Sequence, residues 1–145
     1  MFKYLISITL LLLLVGCAHQ TPVTLKPLSG LALTTNASFT TVEFIDAEIL
    51  LYQDETLIGS VQRVPVPEPG QTAFDALQEG FVEAQKGSNK PTRLETSADT
   101  YAYVVHTPNF STVFVATQQE PAAWAVVSVK KEHFNPIAAS LARIK

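Results

Sequence analysis

The chain predicts an α+β fold, a single antiparallel sheet with two helices packed on it, set behind an N-terminal leader and a tether. Three observations predict it. Most of residues 39–145 falls into short β-prone runs separated by Pro, Gly, Asn and Asp breaks. One segment, 72–87, carries helical spacing with its own start and stop signals. The links between runs are short, which favours antiparallel neighbours over crossover connections. The predicted order is β-β-α-β-β-β-β-α.

The elements follow from the residues. Ile45, Ala47, Ile49 and Leu51 alternate with Asp46, Glu48 and Leu50, the period of a half-buried strand. Gln53-Asp54-Glu55-Thr56 reads as a turn, and Leu57 to Val64 as the returning strand of a hairpin. Pro65, Pro67, Pro69 and Gly70 interrupt regular structure and mark a loop. Thr72 is placed to cap a helix, with Asp75 three residues on as in a capping box. Phe74, Leu77, Phe81 and Ala84 form one apolar face of that helix, and Gly87 stops it. Gly80 inside it costs about 1 kcal/mol relative to Ala, which points to close packing on the sheet. Arg93 to Ala98, Tyr101 to Thr107, Thr112 to Gln118 and Trp124 to Lys130 are strand-like, with breaks at Asp99, Pro108-Asn109 and Glu120-Pro121. Asn135 and Pro136 announce a C-terminal helix with Ile137, Leu141 and Ile144 as its stripe, and Arg143 and Lys145 suit its negative end. From residue 39 onward this element order is similar to the Mog1/PsbP-like fold. The likeness rests on order alone and carries over no functional residue.

The first residues, MFKYLISITLLLLLVGC, place Lys3 ahead of an aliphatic run from Leu5 to Val15. The run is shorter than the roughly 20 residues a membrane-spanning helix needs, and it has the layout of a cleavable export signal. Leu14-Val15-Gly16-Cys17 resembles the lipobox of bacterial lipoproteins. That resemblance implies a thioether-linked diacylglycerol on Cys17, cleavage before it, and acylation, such as by palmitate, of the new amino group. Cys17 is the chain's one cysteine, so no disulfide forms within the chain. Ala18, where Asp favours inner-membrane retention, implies an outer-membrane address with the domain facing the periplasm. The expected organisation is a signal peptide at 1–16, a lipidated N-terminus and flexible tether at 17–38, and one periplasmic domain at 39–145. The tether carries Pro22, Pro27 and Gly30 and lacks sustained periodicity, with Leu28 to Leu33 as a part able to rest on the domain.

Composition narrows the function. The 145 residues less the sixteen of the leader leave 129, with 9 basic groups against 13 acidic and a formal net charge of −4. An acidic chain argues against nucleic acid, whose phosphates need clustered Lys and Arg. His19, His106 and His133 show no HExxH or other close metal-ligand spacing. There is no GxSxG nucleophile motif and no phosphate-cradling glycine loop. Asp46 and Glu48, two apart on an expected strand, share a face, which a solvated outer face explains more simply than acid–base chemistry. Tyr101, Tyr103, Phe110 and Trp124 are either a partner-binding patch or, as favoured, core and cross-strand packing. No catalytic residue, metal site or cofactor emerges, so an enzyme is disfavoured. The expectation is a lipid-anchored envelope domain that binds another protein or helps an assembly. The alternatives are a lipoprotein immunity or exclusion factor, and a small periplasmic hydrolase or ligand-binding protein.

Overall fold

The computed structural model describes residues 23–35, 41–46 and 48–142. Cys17, Ala18 and His19 fall outside them, as do Asn36 to Ser38 and Arg143, Ile144 and Lys145, so the expectations on those residues are not addressed by the fold. Among the described residues the chain is α+β, with two antiparallel sheets rather than one. A hairpin of β1 (Val23–Leu28) and β2 (Leu31–Thr35) stands by itself. The large sheet holds β3 (Thr41–Ile45), β4 (Glu48–Gln53), β5 (Thr56–Pro65), β6 (Pro91–Arg93), β7 (Thr100–His106), β8 (Phe110–Thr117) and β9 (Ala123–Lys130). Its order is β3-β4-β5-β9-β8-β7-β6, with every neighbouring pair antiparallel. Helix α1 (Ala73–Ala84) connects β5 to β6, and a 3₁₀ turn (Lys131–His133) leads into helix α2 (Phe134–Ala142).

The two helices do not share a face. Helix α1 lies over β7, β8 and β9, whereas α2 lies beside β2 on the other side, with β1 over β5 and β9. Strand alternation sorts the side chains between two cores. Tyr101, Tyr103, Phe114, Ala116 and Trp124 meet α1 through Ala73, Leu77, Phe74 and Phe81. Ala102, Val104, Val113, Val115, Ala125, Val127 and Val129 meet Leu25, Leu28, Leu31, Leu33, Ile137 and Leu141. The result is a three-layer arrangement, and the sheet is buried on both faces across its β7–β9 half.

Residues 23–35 are thus a paired hairpin rather than a flexible tether, and Leu28 to Leu33, the part able to rest on the domain, does pack on it. Leu31 and Leu33 are 2% and 0% exposed, which a flexible linker would not achieve. Ser29-Gly30 forms a two-residue turn whose Gly30 takes φ +75°, a conformation glycine adopts without strain. The hairpin tip is pinned to the β8–β9 connection. Glu120 Oε2 accepts from the Ser29 backbone N–H at 2.8 Å, Glu120 Oε1 accepts from Arg63 Nε at 2.8 Å, and Thr117 Oγ1 donates to the Ser29 carbonyl at 2.8 Å. The Ser29 N–H first, and the Arg63 guanidinium second, hold the Glu120 carboxyl below its ordinary pKa.

Two strand readings are corrected as well. The alternation at 45–51 runs across a tight turn: Ile45 pairs with Glu48, and Asp46 sits at φ +53°, a left-handed conformation Asp tolerates. The edge strand β6 occupies 91–93 rather than 93–98; beyond it the chain turns away, with Thr96 Oγ1 donating to the Thr100 carbonyl at 2.6 Å. The β4–β5 hairpin, with its turn at Asp54 (φ +54°), follows the sequence reading.

Candidate functional site

Helix α1 positions the site, and local chemistry fixes where it begins. Thr72 Oγ1 accepts from the Asp75 N–H at 3.2 Å, and Asp75 Oδ2 accepts from the Thr72 N–H at 3.3 Å, so both halves of the capping box are made. Ala73 N–H also donates to the Pro121 carbonyl at 2.7 Å, tying the helix start to the β8–β9 connection. Gly80 faces Tyr103, whose hydroxyl would stand 3.2 Å from an added Cβ, so the helix approaches the sheet closely at this point. The rings of Phe81 and Tyr103 meet edge to face at 5.4 Å, and Tyr103 stacks on Phe114 at 4.8 Å. Burial raises the Tyr103 hydroxyl pKa, with the neighbouring Tyr101 adding to it. Tyr101 and Tyr103 are thus core residues, 9% and 4% exposed, and supply no aromatic patch.

Because α1 stops at β9, the same face of β5, β4 and β3 has no helix over it among the described residues. Register defines what this shelf presents. Val64, Gln62 and Ser60 on β5 pair with Trp124, Val126 and Ser128 on β9. Leu50 and Glu48 on β4 pair with Ser60 and Gln62, and Glu43 and Ile45 on β3 pair with Leu50 and Glu48. Leu50, Val64, Val126 and Trp124 are each only part-buried, and Ile45 is 46% exposed. The opposite faces of the same strands carry Leu51, Val61 and Val127, at 0% to 1% exposed. An antiparallel sheet can leave one face to water, but apolar side chains spread across three or four neighbouring strands are more than a solvated face needs.

Where the shelf meets α1 there is a groove of about 390 Å³. Trp124 and Gly80 lie in it, and Glu68, Glu79 and Glu83 stand along it. Glu79 Oε2 accepts from Gln71 Nε2 at 3.0 Å, and Glu83 Oε2 from Lys86 Nζ at 2.6 Å. Sequence reasoning singled out Trp124 but not the shelf or these carboxylates. Their shared feature is a helix that covers only half a sheet, which is set by long-range packing and leaves no local signature.

The other candidates do not converge. His106 Nδ1 and Ser111 Oγ are 2.8 Å apart, and the His106 ring meets Phe134 edge-on at 5.1 Å. His133 Nε2 is buried, 3.6 Å from Glu132 Oε1 and without a hydrogen-bond partner among the described residues. Asp46 lies in the β3–β4 turn and Glu48 on β4, so they do not form the strand-face pair the alternation suggested. Phe110 opens β8, at a turn closed by the Thr107 N–H to the Phe110 carbonyl at 2.9 Å. No group of three or more His, Cys, Asp or Glu able to hold a metal occurs among the described residues. A second cleft, about 680 Å³, lies between α1 and the 94–98 segment. Its Arg93 is committed, with the guanidinium 3.4 Å above the Tyr101 ring and Nη1 donating to the Ala102 carbonyl at 2.9 Å. No described helix is long and apolar enough to cross a membrane. Compared with protein-family models, with curated proteins and with solved structures, the chain matches none.

Proposed function

We propose that the protein is a lipid-anchored envelope lipoprotein, held in the outer membrane through Cys17, whose domain binds another protein or assists an assembly in the periplasm. One observation carries the binding half of this reading. The α1 side of β3, β4 and β5 is an open sheet face carrying Ile45, Leu50 and Val64, continued on β9 by Val126 and Trp124, all at least part-exposed. Open apolar faces of this kind mark interaction surfaces. An enzyme would be favoured by a cleft converging on His106, His133 or Asp46, and the two clefts described above are lined by other residues. The anchor rests on the sequence of the leader alone.

A photoreactive benzoylphenylalanine placed in cells at Gln62, exposed on the shelf, tests the surface. Gln62 should give a discrete crosslinked species that the same probe at Thr92, exposed on β6, does not give. Equal adducts from both positions, or none from Gln62, would show that the shelf is not an interface. Cys17→Ser should leave the unprocessed precursor and remove the acyl chains. Unchanged processing and membrane fractionation in that variant would defeat the anchor.

A further inference from the structure

We infer that the partner of the shelf presents a cationic polypeptide segment, Lys or Arg side chains interleaved with small or apolar ones, to the groove between α1 and β9. This rests on the protein-binding reading above and names the chemistry of the partner. Charge complementarity carries it, together with the groove and the aromatic ring inside it. Glu68, Glu79 and Glu83 stand along a groove that also holds the part-exposed Trp124. Glu48 continues the negative charge across the shelf.

Among the described residues one cation, Lys86, reaches a carboxylate of the groove, and Arg63, Arg93 and Lys130 are directed elsewhere. Arg63 is the one basic residue between Thr41 and Pro65, and its guanidinium is held by Glu120 beside the hairpin tip. Register puts Arg63 opposite Ala125, on the sheet face away from α1. Lys86 pairs with Glu83 on the open helix surface, where both side chains are at least 70% exposed and the pair is weak. Arg93 is stacked on Tyr101, and Lys130 stands at the last position of β9, at the far end of the sheet from Trp124. A cation brought into the groove gains the carboxylates along it and the face of an indole ring. Its apolar neighbours gain Val64, Val126 and Leu50. A neutral or acidic segment gains only the second of these and meets like charge at the rim.

Trp124 is the chain's one tryptophan, so its emission reports on the groove without labelling. The test uses the full-length lipidated protein in phosphatidylcholine nanodiscs. It is titrated with an acetylated octapeptide of alternating Lys and Ala, and separately with its alternating Glu and Ala counterpart. The Lys peptide should shift or quench Trp124 emission saturably, and the Glu peptide should not. Affinity should fall severalfold between roughly 50 mM and roughly 500 mM salt. It should fall fivefold or more in the combined Glu68→Gln, Glu79→Gln, Glu83→Gln variant, while Glu132→Gln leaves it unchanged. No saturable response to the Lys peptide, or equal affinity in the triple variant, overturns the cationic partner. The Gln62 crosslink then separates the two readings. An undiminished adduct in the triple variant keeps protein binding and rejects the cationic segment. Absence of the adduct from the parent protein as well rejects protein binding itself.

Discussion

Replacing Leu33 with Ala measures whether residues 23–35 belong to the folded domain. Leu33 is 0% exposed and packs in one core with Leu25, Leu28, Leu31, Ile137 and Leu141. The substitution removes three carbons, at roughly 0.8 kcal/mol per buried methylene. It also leaves a cavity between the hairpin, the sheet and α2, since both sides are held by other elements and collapse only in part. Comparable substitutions cost about 2.7–5.0 kcal/mol, and about 3 kcal/mol is expected here. A domain of this size has a total stability of roughly 5–15 kcal/mol, so the loss is large. With a urea slope of about 2 kcal/mol per molar, the midpoint should fall by about 1.5 M, read from Trp124 emission and far-ultraviolet circular dichroism together. Lys26→Ala, at an exposed position of β1, is the control and should change stability by less than about 0.5 kcal/mol. If Leu33→Ala behaved like the control, residues 23–35 would be a tether after all.

The Glu120 latch carries a pH signature. A carboxyl whose folded pKa lies below its unfolded value stabilises the fold above the unfolded value, near 4.3 for Glu, and loses that contribution as pH falls through the folded pKa. Glu120→Gln should therefore cost about 1 kcal/mol at neutral pH and progressively less in acid; a penalty that stays constant down to about pH 2 would contradict the charged latch. Gly59→Ala should destabilise by roughly 1–3 kcal/mol, because a Cβ there would stand 2.6 Å from the Ser128 carbonyl oxygen and 2.7 Å from Val129 Cγ1. A neutral or stabilising outcome in the same urea titration would mean that β5 and β9 are not packed this closely.

What the sequence disclosed was what short-range chemistry controls. Helix α1 is legible because its cap, its stripe and its stop all lie within sixteen residues, from Thr72 to Gly87. Strands β7, β8 and β9 are legible because each is a run of β-branched and aromatic residues with a strong break at either end. The first hairpin was hidden by a register shift between Leu25 and Leu28 and by Pro27 inside β1, which together erase the period of two. Ser29-Gly30 between two leucines was the signal that remained. The β3–β4 turn was hidden for the opposite reason: Ile45, Ile49 and Leu51 stay in phase across it, and Asp46 makes the left-handed bend without a glycine. The shelf could not be read from any window of sequence. Whether Leu50 and Val64 are covered depends on where helix α1, which begins only at Ala73, comes to rest.

The hairpin also alters what anchoring does to the domain. Val23, the first residue of β1, is six residues past Cys17, a span of at most about 20 Å when fully drawn out. With lipid on Cys17, the domain is moored on a short line rather than cast loose on a long one. The mooring point is itself a core strand, pinned at its far end by Glu120 and Thr117. Tension on acyl chains at Cys17 would be delivered straight into the packed interior, and a protease would have only those few residues in which to cut the domain free. On the proposed anchoring and binding, the shelf would sweep only a thin layer above the bilayer, and its partner would have to reside in the membrane or reach down to it.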